Sequence, residues 1–282
     1  MSLKKRIGLV GPPSDWLVAS QPNREYLQQR WGVTVIDIDL AELFGAYEKM
    51  EAAAAIAWVQ DLEATSAKVV EPTHKDLLET ARIYLALRSL VNAHELDAVS
   101  LRCFDLVTQL ETTGCFALAQ LNDEGIPAGC EGDLPSTLGL LWAQEITGQL
   151  AWMANPARID VATNRLTLAH CTIPRSLVTG YMLRSHFESG LGVGIQGDQA
   201  AGPVTLLRLG GQDLDRIWLA QGELIASGHE ETLCRSQAEI QLAEDAAASD
   251  LLERPLGNHL VMIPGHHRVQ LAEWHIRHIT PV

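Results

Sequence analysis

The stretch IPAGCEGDLPSTLGLLWAQEITGQLAWMAN, residues 126–155, decides the fold. A short apolar run at 126–130 ends at Glu131-Gly132-Asp133, where two acids lie two residues apart. Residues 134–148 predict a helix that ends at a glycine, and the apolar run 149–155 predicts another strand. Strand, helix and strand in this order are typical of a parallel sheet with helices on its faces.

The same alternation continues towards the N-terminus. Apolar runs at 5–10, 33–39 and 97–103 predict strands, and the segments between them predict helices. Five buried strands alternating with helices predict a doubly wound parallel sheet. We therefore expect a Rossmann-like α/β domain over residues 1–155.

The pattern changes after about residue 156. Short alternating runs such as RLTLAHC and DRIWLAQGELIASG are separated by Gly, Asn and Asp. These runs predict a mainly antiparallel β domain over residues 156–282. A few helices complete it, one expected near 241–253 and another after His266.

Composition limits the partners of the protein. The chain has 282 residues, 47% of them hydrophobic and 20% charged, with a net charge of −14. Such acidity disfavours nucleic acid, whose phosphates attract basic patches, and it disfavours anionic lipid. No apolar run approaches the roughly 18 residues of a membrane span. We expect a protein that binds a neutral small molecule or a cation.

The cysteines and the start of the chain bear on localisation. Five cysteines, an odd number, occur without any CxxC pair, so reduced thiols are expected. The apolar run near the N-terminus is shorter than that of a signal peptide. Both observations favour the cytoplasm.

Polar side chains gather where the predicted parallel strands end. Arg102 follows the third strand, Glu131 and Asp133 the fourth, and Asn155 the fifth. Because ligands of parallel sheets bind outside the carboxyl ends of the strands, these residues are site candidates. Alternatives remain open: Glu131 as a solvated loop acid, Asp133 as a helix cap, Arg102 as a structural partner of an acid and Asn155 as a turn residue.

Three segments together resemble the L-fucose isomerase-like and L-arabinose isomerase-like sugar isomerases. These are CEGDLPSTLGLLWAQEITGQLAWMANPARID, GNHLVMIPGHH and LRCFDLV. The resemblance extends from about residue 5 to 282. The larger family members carry an additional N-terminal α/β domain, so the resemblance is to a short member without it.

The resemblance implies an aldose–ketose isomerase that works through an ene-diol with a divalent cation, typically Mn²⁺. Carried over, the metal ligands are Glu131, Asn155 and His259, and the sugar isomerases of this family assemble as trimers or hexamers. Glu131 is the first candidate for proton transfer and Asp133 the second. The candidates for contacts with the sugar substrate are Arg102, His186 and Asn258.

One departure from the family pattern keeps other functions open. Asn155 stands where the family has an aspartate, and a carboxamide ligates through oxygen but is neutral and cannot shuttle a proton. A catalytically reduced relative that binds a sugar or a metal is one alternative. Another is a different reaction, an epimerisation or an aldol cleavage, on a modified sugar.

Overall fold

The structure, a computed structural model, describes residues 3–279. The outermost residues of the two predicted domains, 1–2 and 280–282, lie outside this range. The elements follow one another as β1 (Lys5–Val10), α1 (Arg24–Tyr26) with a π-helical turn (Leu27–Trp31), β2 (Val33–Ile38), α2 (Leu40–Lys49), α3 (Ala52–Thr65), β3 (Lys68–Val69), α4 (His74–Ala93), β4 (Ala98–Leu101), α5 (Phe104–Leu110), α6 (Cys115–Asp123), β5 (Ala128–Cys130), α7 (Leu134–Thr147), β6 (Trp152–Asp160), β7 (Arg165–His170), a 3-10 turn (Arg175–Leu177), β8 (Gly180–Arg184), β9 (Gly194–Asp198), β10 (Gly202–Gly210), β11 (Arg216–Ser227), β12 (Ser236–Leu242), α8 (Asp250–Glu253), β13 (Leu260–Pro264) and α9 (Arg268–His278).

Four strands form a parallel sheet in the order β2-β1-β4-β5. The expected mixed α/β fold and the first four predicted strands are confirmed. Chain order reverses at β1, which lies between β2 and β4. The carboxyl ends of β1 and β4 therefore border a crevice of the kind that binds ligands in open α/β sheets.

The fifth predicted strand does not join this sheet. Residues 152–160 form β6, which pairs antiparallel with β13 and β7. The prediction failed because Trp152, Met153 and Ala154 are all buried, so the run lacks the alternation of an antiparallel strand. The predicted domain boundary, between residues 155 and 156, falls inside β6.

A closed barrel of six antiparallel strands follows, in the order β10-β11-β12-β7-β6-β13. It confirms the antiparallel β structure expected after residue 156 and the helix expected after His266. The helix expected near 241–253 is reduced to the short α8, because β12 extends to Leu242. A third sheet, β3-β8-β9, was not predicted; its strand β3 comes from the first half of the chain.

Helix α7 packs the parallel sheet against the barrel. Asp133 caps its N-terminus, Pro135 follows in its first turn, and Gly148 ends it with φ +70°. At Gly139 a Cβ atom would lie 3.0 Å from Leu207 and 3.2 Å from Val261, both barrel residues. This close approach brings the N-terminal end of α7 beside the start of β13. Within the described range, no helix is long and apolar enough to cross a membrane.

Candidate metal centre

Three side chains from different elements meet at the crevice. Glu131 follows β5, His170 ends β7 and His259 precedes β13. One ligand atom from each lies within 4.8 Å of those of the other two. A carboxylate and two imidazoles are donors that divalent transition metals accept. The parallel sheet thus supplies one candidate ligand and the barrel supplies two.

The backbone around Glu131 makes a tight left-handed turn. Glu131 has φ +62° and Gly132 has φ +70°. A Cβ atom at Gly132 would lie 2.7 Å from the Cα atom of Pro13, so only glycine fits there without displacing the loop. A non-glycine residue with positive φ is uncommon and clusters at functional sites. This turn directs the Glu131 side chain into the crevice.

The Glu131 carboxylate is held from two sides. Trp16 donates from Nε1 to Oε2 at 2.7 Å, and Oε1 lies 3.4 Å from Nε2 of His259. Burial raises the pKa of Glu131, but the contacts with His259 and Trp16 outweigh it and leave the pKa below its usual value. The carboxylate is therefore ionised at neutral pH, as a metal ligand or a base requires.

His259 is completely buried, and its two ring nitrogens have different surroundings. Its Nδ1 lies 2.8 Å from Oδ2 of Asp133, whereas its buried Nε2 has no hydrogen-bond partner among the described residues. Burial lowers the pKa of His259, but Asp133 and Glu131 raise it more, to about 9. A metal-binding imidazole commonly donates its other N–H to a carboxylate. Without a cation the ring is protonated at neutral pH and its Nε2 lies 3.4 Å from Oε1 of Glu131. A cation bound between these two atoms would take the place of that proton.

Asp133 does not line the cavity at this site. Its side chain is fully buried, and its oxygens accept hydrogen bonds from Ser20, Ser136, Arg208 and the N-terminus of α7. Burial raises its pKa, but the Arg208 charge and the His259 contact overcome this and hold the pKa far below its usual value. The structure shows the helix cap that the sequence left open, with a carboxylate that also orients His259.

The sequence did not predict His170 as a residue of the site. Its Nδ1 lies 2.8 Å from the hydroxyl of Thr172, and its ring centroid lies 5.6 Å from that of His259. Burial, followed by the charge of His259, lowers its pKa to about 4, so the imidazole is neutral and able to ligate. A single histidine ending a strand gives little signal in a sequence; only closure of the barrel brings it to Glu131.

Asn155 lies beside His170. It pairs in register with Ala169 across β6 and β7, is half-buried and lines the same cavity. Asn155 therefore lies in the wall of the cavity that Glu131 and His170 also line. Of the three residues predicted as ligands, Glu131 and His259 lie together with His170, and Asn155 lines the cavity.

The cavity has a volume of about 530 Å³, within the range of small-molecule sites. Trp16 and Phe104 form part of its lining, in edge-to-face contact at 5.1 Å between ring centroids. Of the predicted substrate contacts, His186 and Asn258 line it. The rest of the lining is formed by Cys103, Val107, Thr113, Cys115, Cys130, Glu131, Asn155, His170, Cys171, Glu188 and Cys234.

Arg102, the third predicted substrate contact, is not part of this lining. Its guanidinium donates to Asp105 at 2.9 Å and to the carbonyl of Pro13 at 2.7 Å. It also forms an ion pair with the exposed Asp15. The side chain thus ties the loop after β1 to the end of β4, which is the structural role that the sequence left open.

Comparison with known proteins identifies enzymes similar to this chain, although no family model matches it. It is 25% identical over 271 residues to the sulfoquinovose isomerases of Priestia aryabhattai and Priestia megaterium. Each match covers 92% of this chain and 60% of the relative. The sulfoquinovose isomerase of Clostridium sp. (strain MSTE9) is 30% identical over 185 residues, which is 63% of this chain and 38% of that protein.

The chain therefore spans about 60% of the length of the two Priestia relatives. All three relatives are sugar isomerases by name, which supports the enzyme class that the sequence resemblance implied. Their names indicate neither an isomerase specific for fucose or arabinose nor a dependence on metal.

Proposed function

We propose that this protein is an aldose–ketose isomerase that uses a divalent cation, with Mn²⁺ as the cation expected from the sequence resemblance. One observation carries the proposal. The buried Nε2 of His259 has no hydrogen-bond partner among the described residues, and it faces Glu131 and His170 beside a cavity of about 530 Å³. The similarity to sulfoquinovose isomerases supports the same class of reaction.

Four residues are proposed to hold the cation. Glu131, His170 and His259 offer a carboxylate and two imidazoles, and Asn155 offers an amide oxygen from the same cavity wall. The carboxylate and amide oxygens suit Mn²⁺, whereas the two imidazoles suit Zn²⁺ or Fe²⁺, so the choice of Mn²⁺ rests on the sequence resemblance. Such a set leaves coordination positions open for substrate oxygens. Asp133 is proposed to act through His259, by fixing the orientation of its ring.

The residues of the cavity are then suited to move a proton between two carbons. A bound divalent cation supplies Lewis-acid polarisation of the sugar carbonyl and stabilises negative charge on its oxygens. Glu131 accepts the proton from C2 of the aldose and returns it to C1, since its carboxylate is ionised at neutral pH. No atom is gained or lost, so the reaction needs no oxidant and no second substrate.

Two further residues are proposed to bind the sugar hydroxyls. His186, only 9% exposed, hydrogen-bonds Ser189 through Nδ1 and lies edge-on to Phe104 at 5.7 Å between ring centroids. Asn258, directly before His259, also lines the cavity. Their donors and acceptors match those of a polyol.

The substrate is proposed to be an aldose of the kind that the relatives and the resemblance suggest. Sulfoquinovose is the substrate named for the three relatives, and L-fucose and L-arabinose follow from the resemblance. Free thiols at all five cysteines favour action in the cytoplasm. We also propose a homo-oligomer, a trimer or a hexamer, which the mass of the native protein in solution would test.

The experiment is a panel of aldoses incubated with the Mn²⁺-loaded protein, with ketose formation followed by chromatography. We expect conversion of at least one member, loss of conversion on chelation, and loss in the Glu131→Gln variant. Glu223→Gln is the matched control, because Glu223 is exposed on β11 and does not line the cavity. Conversion that survives both chelation and Glu131→Gln would refute the proposal.

The same panel tests the catalytically reduced alternative, which Asn155 motivates. A reduced relative would bind Mn²⁺ or sugar without turnover, and Asn155→Asp would then restore conversion. An isomerase adapted to the amide would instead lose activity in Asn155→Asp.

A further inference from the structure

All five cysteines of the chain line the candidate catalytic cavity. They come from distant parts of the sequence: the end of β4, the start of α6, the end of β5, the residue after β7 and the residues before β12. Two of them, Cys103 and Cys130, have their sulfur atoms 2.9 Å apart. Both are free thiols in the structure. This pair serves none of the roles assigned above to Glu131, His170, Asn155 and His259.

We propose that Cys103 and Cys130 form an oxidisable dithiol, and that the disulfide between them weakens metal binding at the neighbouring Glu131. The first half of this proposal rests on the thiol geometry alone. The second half rests also on the proposed metal site.

The backbone holds the two thiols in place. Cys130 is the last residue of β5 and lies in parallel register with Leu101 of β4. Cys103 follows two residues later, where the chain turns into α5 with φ −71° and ψ −28°. This turn brings the Cys103 side chain back over the end of β5. A disulfide bond is about 2.05 Å long, so the sulfur atoms must approach by less than about 1 Å.

An oxidant small enough to enter the cavity can reach the pair. Cys103 is 6% exposed and Cys130 is 4% exposed, and both belong to the cavity lining. A peroxide supplies the chemistry. One sulfur attacks a peroxide oxygen, the O–O bond breaks, and water and a sulfenic acid form. The second sulfur attacks the first, the S–S bond forms, the S–O bond breaks, and a second water leaves. Two electrons pass from sulfur to oxygen.

The disulfide would act on the metal site through the backbone. Cys130 directly precedes Glu131, and its carbonyl accepts the N–H of Asp133 at 3.0 Å. Glu131 already has a left-handed backbone, fixed by the bond from the N–H of Ser14 to its carbonyl at 2.8 Å. Displacing Cys130 therefore displaces both the ligand Glu131 and the residue that orients His259. Because such supporting contacts are worth about 10–100-fold in metal affinity, we expect a loss of at least about tenfold.

The test compares reduced protein with protein treated with hydrogen peroxide. Mass spectrometry of the intact chain should show the loss of two hydrogen atoms, and a digest without reductant should contain one linked peptide joining Cys103 to Cys130. Cys103→Ser should abolish this linkage. Cys234→Ser is the matched control, because Cys234 lines the same cavity and should leave the linkage intact.

Calorimetric titration with Mn²⁺ tests the second half of the proposal, the effect of the disulfide on metal binding. The affinity of the wild-type chain should fall at least about tenfold on oxidation and return with dithiothreitol, whereas that of Cys103→Ser should not respond to peroxide. A linkage between other cysteines, or oxidation of single thiols without linkage, would overturn the dithiol. An unchanged affinity after linkage would overturn its coupling to the metal.

Failure of the proposed function would look different. Reduced wild-type protein that binds no Mn²⁺ would refute the metal-dependent isomerase, and the peptide map would still decide whether the dithiol exists. Since the map uses the wild-type chain, it does not depend on any variant folding correctly.

Discussion

The buried carboxylate of Asp133 lies 2.8 Å from Nδ1 of His259, and this contact fixes the face that the imidazole presents to Glu131. An ionised carboxylate only accepts hydrogen bonds, so Nδ1 is the donor and Nε2 is left to face the cluster. Two residues 126 positions apart are joined in this way. The parallel sheet and the barrel thus build the candidate site jointly.

Replacing Asp133 by Asn tests this relationship. The variant keeps the shape of the side chain but removes the charge that orients His259 and pairs with Arg208 at 3.0 Å. We expect a loss of Mn²⁺ affinity of about 10–100-fold by calorimetry and a lower melting temperature. Ser20→Ala is the control, because it removes one neutral donor to Asp133 and leaves the charge. Equal effects of the two variants would show that the carboxylate charge has no special part.

His170 is expected to be a ligand although the sequence did not reveal it. His170→Ala should reduce Mn²⁺ affinity by about 100-fold or more, since one of three close donors is lost from a site that needs them together. His74→Ala, at an exposed residue that begins α4, serves as the control and should bind Mn²⁺ like the wild type. Wild-type affinity in His170→Ala would remove this residue from the site.

Trp16 is expected to position the Glu131 carboxylate. Trp16→Phe keeps an aromatic ring beside Phe104 but removes the Nε1 donor 2.7 Å from Oε2. A hydrogen bond to a charged group is worth about 1.5–3 kcal/mol, so we expect a fall of about tenfold or more in kcat/KM for the converted aldose. Because the indole is 51% exposed, the melting temperature should change little. A large loss of stability with unchanged kinetics would contradict the positioning role.

Gly132 is expected to resist substitution for steric reasons. In Gly132→Ala the added Cβ atom would meet the backbone of Pro13 at 2.7 Å, and the chain there has positive φ. The matched control is Gly148→Ala, which has the same φ of +70° but nothing within 4 Å of its Cβ position. The free energy of unfolding, measured with urea, should fall by about 1–2 kcal/mol in Gly148→Ala and by clearly more in Gly132→Ala. Similar costs would mean that the loop adapts.

The sequence predicted the half of the site that depends on local pattern. Glu131 follows an apolar strand, and in open sheets the ends of such strands border ligands. The helix after Asp133 has a cap, an early proline and a terminal glycine, each readable without a structure. His259 came from the resemblance and not from spacing.

The other half depends on contacts between distant segments, which periodicity does not encode. His170 reaches the site only because β7 pairs with β6 and β12 in the closed barrel. Trp16 reaches Glu131 across 115 residues from a loop without regular structure. The strand at 149–155 was assigned to the wrong sheet for the same reason. Trp152 is fully buried, so the sequence of this barrel strand has the continuous apolar character of an inner strand of a parallel sheet.

Anomalous diffraction at the manganese edge, from crystals of the reduced protein grown with Mn²⁺, would locate the bound cation. We expect one strong peak within coordination distance of Glu131, His170 and His259, and the loss of this peak in Glu131→Gln. A manganese-replete crystal with no peak between these three residues, or with its peak elsewhere in the chain, would contradict it.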